Sequence, residues 1–349
     1  MISPLESPAW KSAALIGAGR MGRSHAQALR ELGVPLTAIC DTREESLAAV
    51  GNEFGVPPER RFGTADAMFK QIGSPDVVSI ATTADSHCDL VVQAAAAGAR
   101  NILCEKPLAT SVADCDRMLA ACAASGTRLA VNHQMRFMDQ YRLVKSELDS
   151  GALGRLASMT VVAGCFGLAM NGSHYIEAFS YLTGARPVEA SAWFTGEHIR
   201  NPRGPAFFDQ AGEIRIVADG GHRLNLVIGH DQGHGMTVTY AGAYGHIFVD
   251  ELAGEMTATA RLPEHRDAPP NRYGMPWTRN TVRFAAADNT APTKAVLAAL
   301  GRGDNYPRGE DGRRVIATLA ACYASAENGH RAVRVDALGA HAERRFPWA

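Results

Sequence analysis

The sequence predicts two domains of different construction: an α/β domain with a doubly wound parallel sheet at the N-terminus, then an α+β domain with a largely antiparallel open sheet. Three observations carry this. Short apolar runs alternate with helical-period stretches through residues 13–132, period-two runs dominate from residue 188, and 349 residues exceed one ordinary core. The boundary is placed between residues 132 and 133, with a last helix over 313–326 expected to pack back toward the first domain.

Residues 13–16 form an apolar run that stops at Gly17, and Met21, His25, Ala28, Leu29 and Leu32 then recur at helical spacing until Gly33 and Pro35. The order is strand, glycine turn, helix. Residues 36–40 read as a second strand ending in Asp41, and 44–54 as a helix closed by Gly55 and Pro57. A helix over 65–71 leads to the strand 76–81, whose almost purely apolar run fits a strand covered on both faces. Helix follows at 90–97, strand at 101–104, helix at 111–124 with Ser111 and Asp114 as its N-cap pair, and strand at 128–132. Strands alternating with helices through short connections pair in parallel.

From Asp139 the rhythm changes. Helices over 140–148 and 174–182 bracket a strand over 156–163, and period-two runs follow at 188–194, 213–217, 223–228, 236–240 and 246–249. Glycine turns join several of them, which predicts antiparallel pairing. In the last helix Val315, Leu319, Cys322 and Tyr323 share a face.

Composition removes several function classes. Lys and Arg total 35 against 36 Asp and Glu, so no net field draws a polyanion, and no nucleic-acid partner is expected. No window offers the roughly 20 uncharged apolar residues of a membrane span. Residues 1–11 read as a frayed tail rather than a secretory signal. Seven cysteines without a Cys-x-x-Cys pair fit reduced thiols in a cytoplasm better than a disulfide framework or zinc ribbon.

Gly17-x-Gly19-x-x-Gly22 follows a strand and opens a helix, and Asp41 ends the next strand. In that context the pattern predicts a dinucleotide-binding (Rossmann) turn. The first glycine permits the bend, the second lets a pyrophosphate reach the backbone, and the third allows close helix packing. Asp41 suits ribose hydroxyls and repels a 2′-phosphate, which favours NAD. Arg43, two residues on, could pair a 2′-phosphate, which leaves NADP as the alternative.

Glu105-Lys106-Pro107 follows the strand 101–104, at the ligand edge of a parallel sheet. Pro107 biases Lys106 toward extended geometry. An ammonium beside a cationic nicotinamide ring gives up its proton more readily, which suits a general base for alcohol oxidation.

Together Gly17 to Gly22, Cys40-Asp41, Ala81-Thr82 with His87, Glu105-Lys106-Pro107-Leu108, Arg136-Phe137, Gly172-Ser173-His174-Tyr175-Ile176-Glu177 and Asn305-Tyr306-Pro307 resemble the glucose-fructose oxidoreductase, inositol dehydrogenase and rhizopine-catabolism (Gfo/Idh/MocA) family. The resemblance implies a two-domain oxidoreductase acting on a sugar, polyol or sugar derivative. It implies Lys106 as the catalytic lysine and His174 as a partner that assists proton transfer or holds a sugar hydroxyl. Cofactor contacts are implied for Gly17, Gly19, Arg20, Met21, Gly22, Asp41, Arg43, Thr82, Thr83, Glu105 and Lys106. It also implies a homo-oligomer through the second-domain sheet.

The chain departs from that pattern in three places. Thr82-Thr83-Ala84 replace the common Thr-Pro-Asn, Met170 stands where inositol-dehydrogenase-like members carry Asp, and Glu177 stands where Asp is usual. With His174 read at a helix start, free N–H groups disfavour its protonation and Glu177 favours it. His87 is read as a packing residue after a strand end, and Arg200 and Arg203 as a solvated loop. His230, Asp231 and His234 lie among turn glycines, so no metal site is expected. Two alternatives to a dehydrogenase stay open: redox-neutral glycoside cleavage within the same family, and a non-catalytic NAD- and sugar-sensing regulator.

Overall fold

The structure is a computed structural model and describes residues 7–164, 167–201, 203–233, 235–269, 273–285 and 288–348. The chain divides into two compact units. The first comprises Met1–Gln134, Asp288–Ile316 and Ala342–Ala349, the second Met135–Ala287 and Ala317–His341. The first break thus falls two residues beyond the boundary read from sequence, and two later segments rejoin the first unit.

In the first unit the chain runs β1 (Ala13–Ile16), α1 (Arg20–Glu31), β2 (Leu36–Cys40), α2 (Glu44–Phe54), β3 (Arg61–Phe62), α3 (Ala65–Ile72), β4 (Val77–Ile80), α4 (Ala84–Ala96), β5 (Asn101–Cys104), α5 (Val112–Ser125) and β6 (Arg128–Val131). All six strands are parallel, in the order β3-β2-β1-β4-β5-β6. Every residue of β1, β4 and β5 is buried, as expected of strands covered on both faces. Ser111 caps α5 by accepting from the Asp114 amide at 3.1 Å, and left-handed Gly55 and Gly126 close α2 and α5.

Two sequence expectations change here. The fourth helix begins at Ala84, six residues before its apolar pattern, so His87 sits inside a helix rather than after a strand end. The two-residue strand β3 was too short to leave a periodic signal.

The second unit contains α6 (Asp139–Asp149), β7 (Leu156–Gly164), α7 (Ser173–Thr183), β8 (Pro187–Arg200), β9 (Phe208–Ala218), β10 (Arg223–Gly229), β11 (Met236–Gly242), β12 (Gly245–Asp250), β13 (Glu255–Arg261) and β14 (Trp277–Arg283). After α8 (Thr290–Arg302), which belongs to the first unit, α9 (Gly309–Glu327) and β15 (Val333–Arg334) follow. The nine strands lie in the order β14-β13-β12-β11-β7-β10-β9-β8-β15. β7 and β10 pair in parallel and the other neighbours antiparallel, so the sheet is mixed. Met159, Val161, Leu224, Leu226, Val238 and Tyr240 line its buried face, while Phe248 and Trp277 are exposed.

A buried carboxylate ties α6 and α7 together in this unit. Tyr141 donates to one oxygen of Glu251 at 2.7 Å and Tyr175 to the other at 3.1 Å. Burial raises the Glu251 carboxyl against both hydrogen bonds, which act to lower it. A carboxyl raised by folding stabilises the fold at low pH, and that contribution is lost as pH rises from its ordinary value through the raised one. Glu251→Gln should therefore flatten the pH dependence of urea stability over this window. Glu251→Ala, which strands both tyrosine hydroxyls, should cost about 2–4 kcal/mol by the same measurement.

Candidate active site

Four strands of the first unit end at the same level. Cys40, Ile16, Ile80 and Cys104 are register partners across β2, β1, β4 and β5, so Asp41, Gly17, Ala81 and Glu105 follow in a row along the carboxyl edge. The order of connections reverses between β1 and β4, the place where open parallel sheets take their ligands. Lys106 leaves this edge two strands, or about 10 Å, from the glycine turn.

The turn is built as its glycines require. Gly17 has φ 90°, and a side chain there would stand 2.7 Å from the Ala81 carbonyl; one on Gly22 would stand 1.9 Å from the Gly17 oxygen. A Cβ on Gly19, by contrast, would meet only Arg43, at 3.5 Å. The surface over Gly19 is open where a pyrophosphate would lie. Gly19 is also the N-cap of α1 and brings no side chain to its first amides, which leaves that helix end to an anion. Arg20 is exposed and Met21 half-buried at the same end.

Asp41 is held by the turn it serves. One oxygen accepts from the Ala18 amide at 2.7 Å, the other from the Arg43 amide at 2.8 Å, and the Arg43 guanidinium stands 3.6 Å away. Each oxygen keeps a lone pair for a ribose hydroxyl. These donors and the open cradle fit a dinucleotide. Thr82 and Thr83 follow β4; the Ser86 hydroxyl donates to Thr82 Oγ1 at 2.7 Å, and Thr83 precedes α4 without a side-chain capping bond.

Lys106 is half-buried and its bond to Pro107 is cis. His87 braces this segment from α4: Nδ1 lies 3.1 and 3.2 Å from the carbonyls of Pro107 and Leu108, and Nε2 3.3 Å from that of Thr82. Burial lowers the His87 imidazole despite the pull of Glu105 and of these carbonyls. Glu105 is 1% exposed and both its oxygens serve the protein, so what it offers a cofactor is its main chain.

Sequence reasoning missed the group behind Glu105. His25 Nε2 donates to its Oε1 at 2.8 Å while Nδ1 lies 2.5 Å from Ser79 Oγ; Asn132 donates to the same Oε1 at 2.7 Å and also reaches Thr293 Oγ1 on α8 at 3.1 Å. The signal was present, since His25 is the one strongly polar residue on the otherwise apolar face of α1.

In the second unit His174 is buried on α7, but its helix does not start at Gly172. A π-helical turn, Leu168–Gly172, runs into it, so the free amides expected beside His174 lie at Ala169 and Met170 instead. Asp209 of β9 takes them: it accepts from Ala169 at 2.8 and 2.9 Å and from Met170 at 2.8 Å. A Cβ at residue 167 would reach 2.4 Å from that carboxylate, which explains Gly167. Asp209 lies too far along the chain for any spacing rule to connect it with this turn. Glu177 is buried against the Arg136 guanidinium, which also stacks over Tyr181.

Arg203 lies in the loop before β9, whereas the side chain of Arg200 and the residue His234 lie outside the described residues. Among the described residues no cluster of three or more His, Cys, Asp or Glu could hold a metal ion, and no helix is long and apolar enough to cross a membrane. Six cysteines are free and buried; Cys165 lies outside the described residues.

A parallel six-stranded sheet that carries a glycine turn, an acid and a lysine along one edge is the architecture of a dinucleotide-binding domain. Comparison with known proteins agrees: residues 11–133 match the model of the Gfo/Idh/MocA oxidoreductase family, with NAD-binding Rossmann fold. Over these residues the chain is similar to that family. It is 42% identical over 142 residues to D-apiose dehydrogenase of Paraburkholderia graminis, a match covering 40% of this chain and 37% of that protein. Inositol 2-dehydrogenase 3 of Saccharopolyspora erythraea is 27% identical over 287 residues, 78% of this chain and 77% of that one. Among solved structures, an oxidoreductase from Agrobacterium radiobacter in complex with NAD+, L-tartaric acid and magnesium superposes with a TM-score of 0.74 at 25% identity, covering 93% of this chain and 98% of the other.

The anchoring of the π-helical turn is open to direct test. Asp209→Ala should lower the unfolding free energy in urea by about 2–4 kcal/mol, because two amides lose a charged acceptor. Hydrogen exchange over residues 168–174 should accelerate selectively.

Proposed function

We propose that the protein is an NAD-dependent oxidoreductase that moves hydride between nicotinamide and a secondary alcohol or carbonyl of a sugar, polyol or sugar derivative. The observation that carries this reading is the alignment of Asp41, the glycine turn and Lys106 along the carboxyl ends of adjacent parallel strands. Similarity to D-apiose dehydrogenase and to inositol 2-dehydrogenase 3 supports the substrate class. The cofactor would be held by Gly17, Gly19, Arg20, Met21, Gly22, Asp41, Arg43, Thr82 and Thr83, and would supply the hydride acceptor.

Lys106 is assigned the hydroxyl proton: its neutral amine accepts it during oxidation, and its ammonium returns it during reduction. His174 of the second unit is assigned to hold the substrate hydroxyl. Met170 stands in place of the usual Asp, and Glu177 pairs with Arg136. The exposed Phe248 and Trp277 support self-association through the second sheet.

Asp41 should make NAD bind at least about tenfold more tightly than NADP, the equivalent of one charged hydrogen bond. Calorimetric titration of both cofactors measures this, and tighter NADP binding would transfer control of the pocket to Arg43.

The central test is a panel of sugars, polyols and sugar acids followed by nicotinamide absorbance. On the substrate found, Lys106→Ala should lose about 10²- to 10⁴-fold in kcat while binding the cofactor as before. Full turnover by that variant would remove Lys106 from the mechanism. Release of NAD on denaturation, without turnover on any free sugar, would point to redox-neutral chemistry instead.

A further inference from the structure

Buried ionisable groups cost folding energy unless they are paired, and Glu105 is as buried as any carboxylate in the first unit. Its partners come from separate parts of the fold: His25 from α1, Asn132 from the end of β6, and through Asn132 the hydroxyl of Thr293 on α8. Ser79 of β4 holds the far side of the His25 ring. These groups meet no ligand on the sheet edge, since His25, Ser79, Asn132 and Thr293 are all buried.

Two facts turn this cluster toward Lys106. The second carboxylate oxygen, Oε2, accepts from the main-chain N–H of Lys106 at 3.2 Å, so the carboxylate fixes the backbone from which the lysine projects. The charge of Lys106 also acts on Glu105. Burial alone would raise the Glu105 carboxyl, but the hydrogen bond and attraction of His25, the charge of Lys106 and the Asn132 amide outweigh it and hold it well below the usual carboxylate range. Electrostatic attraction is mutual, so the same carboxylate stabilises the ammonium of Lys106. Glu105 also acts on His87 of α4 and Cys104 of β5; burial lowers the imidazole of the first and raises the thiol of the second.

We propose that Glu105, clamped by His25 and Asn132, is a positioning residue that aims Lys106 and sets the pH at which it gives up its proton. This rests on the reading of Lys106 as the proton-exchanging group. The fixed negative charge opposes what a cationic nicotinamide ring does to the lysine. The pair thus keeps Lys106 from losing its proton too early as the cofactor binds, so that it retains the basicity to take one from an alcohol.

The ionisation of Lys106 can be read without substrate, by trace acylation of the full-length protein across a pH series and mass spectrometry of the Lys106 peptide. Glu105→Gln, nearly isosteric, should lower the labelling midpoint by about one pH unit or more. Glu105→Asp keeps the charge and should leave the midpoint near that of the parent, a distinction that a purely structural role would not produce. Should the single Gln variant fail to fold, the double variant His25→Gln with Glu105→Gln, which replaces both members of the buried pair by amides, carries the same expectation. An unchanged midpoint in a folded Gln variant overturns the proposal. That outcome is separable from failure of the functional reading, which would instead show as undiminished turnover by Lys106→Ala.

Discussion

A carboxylate with almost no access to water organises the first unit. Glu105 stays charged only because His25, Asn132 and the Lys106 amide are brought to it by α1, β6 and its own strand end. The dependence runs both ways. The segment after Glu105 is packed, with Leu108 and Ala109 fully buried, and the Glu105 carboxylate and the His87 bridge to Pro107 and Leu108 fix its path. A half-satisfied buried network is worse than an apolar one, so each partner matters beyond its single hydrogen bond.

The second unit uses the same device. Asp209 holds the turn before His174, Arg136 and Glu177 neutralise each other beneath α7, and Glu251 joins two tyrosines. In each case a buried charge fixes the position of a helix or turn that apolar contact alone would leave free to slide, because hydrogen bonds are directional where hydrophobic contact is not. Asp209 holds the π-helical turn that leads into α7, the helix that carries His174.

Much of this was legible in the chain, and the reasons are local. The strands over 13–16, 36–40 and 101–104 are wholly apolar or nearly so and coincide with β1, β2 and β5, because burial on both faces leaves no other composition. The glycine pattern could be read because each glycine answers a contact a few residues away or across one strand pair. The start of α4 was not, since Ala84, Asp85 and Ser86 give a first turn without apolar spacing. β13, β14 and α8 were also missed: β14 is exposed along most of its length, so nothing enforces alternation in it. The parallel pairing of β7 with β10 sets Arg223 beside Ser158, a separation in sequence beyond any turn signal.

By itself the sequence determined the glycine turn after β1 and set Asp41 and Lys106 at strand ends, because each is specified by neighbours within its own strand–turn unit and by backbone sterics. It also determined that two domains of different construction follow one another, because periodicity is local. Only the tertiary structure decided which polar residues are buried together. His25, Glu105, Asn132 and Thr293 lie far apart in the chain, and so do Met170 and Asp209. Nothing in their local sequence records the pairing; the low dielectric that makes each pair obligatory exists only once the sheet and helices have closed around it.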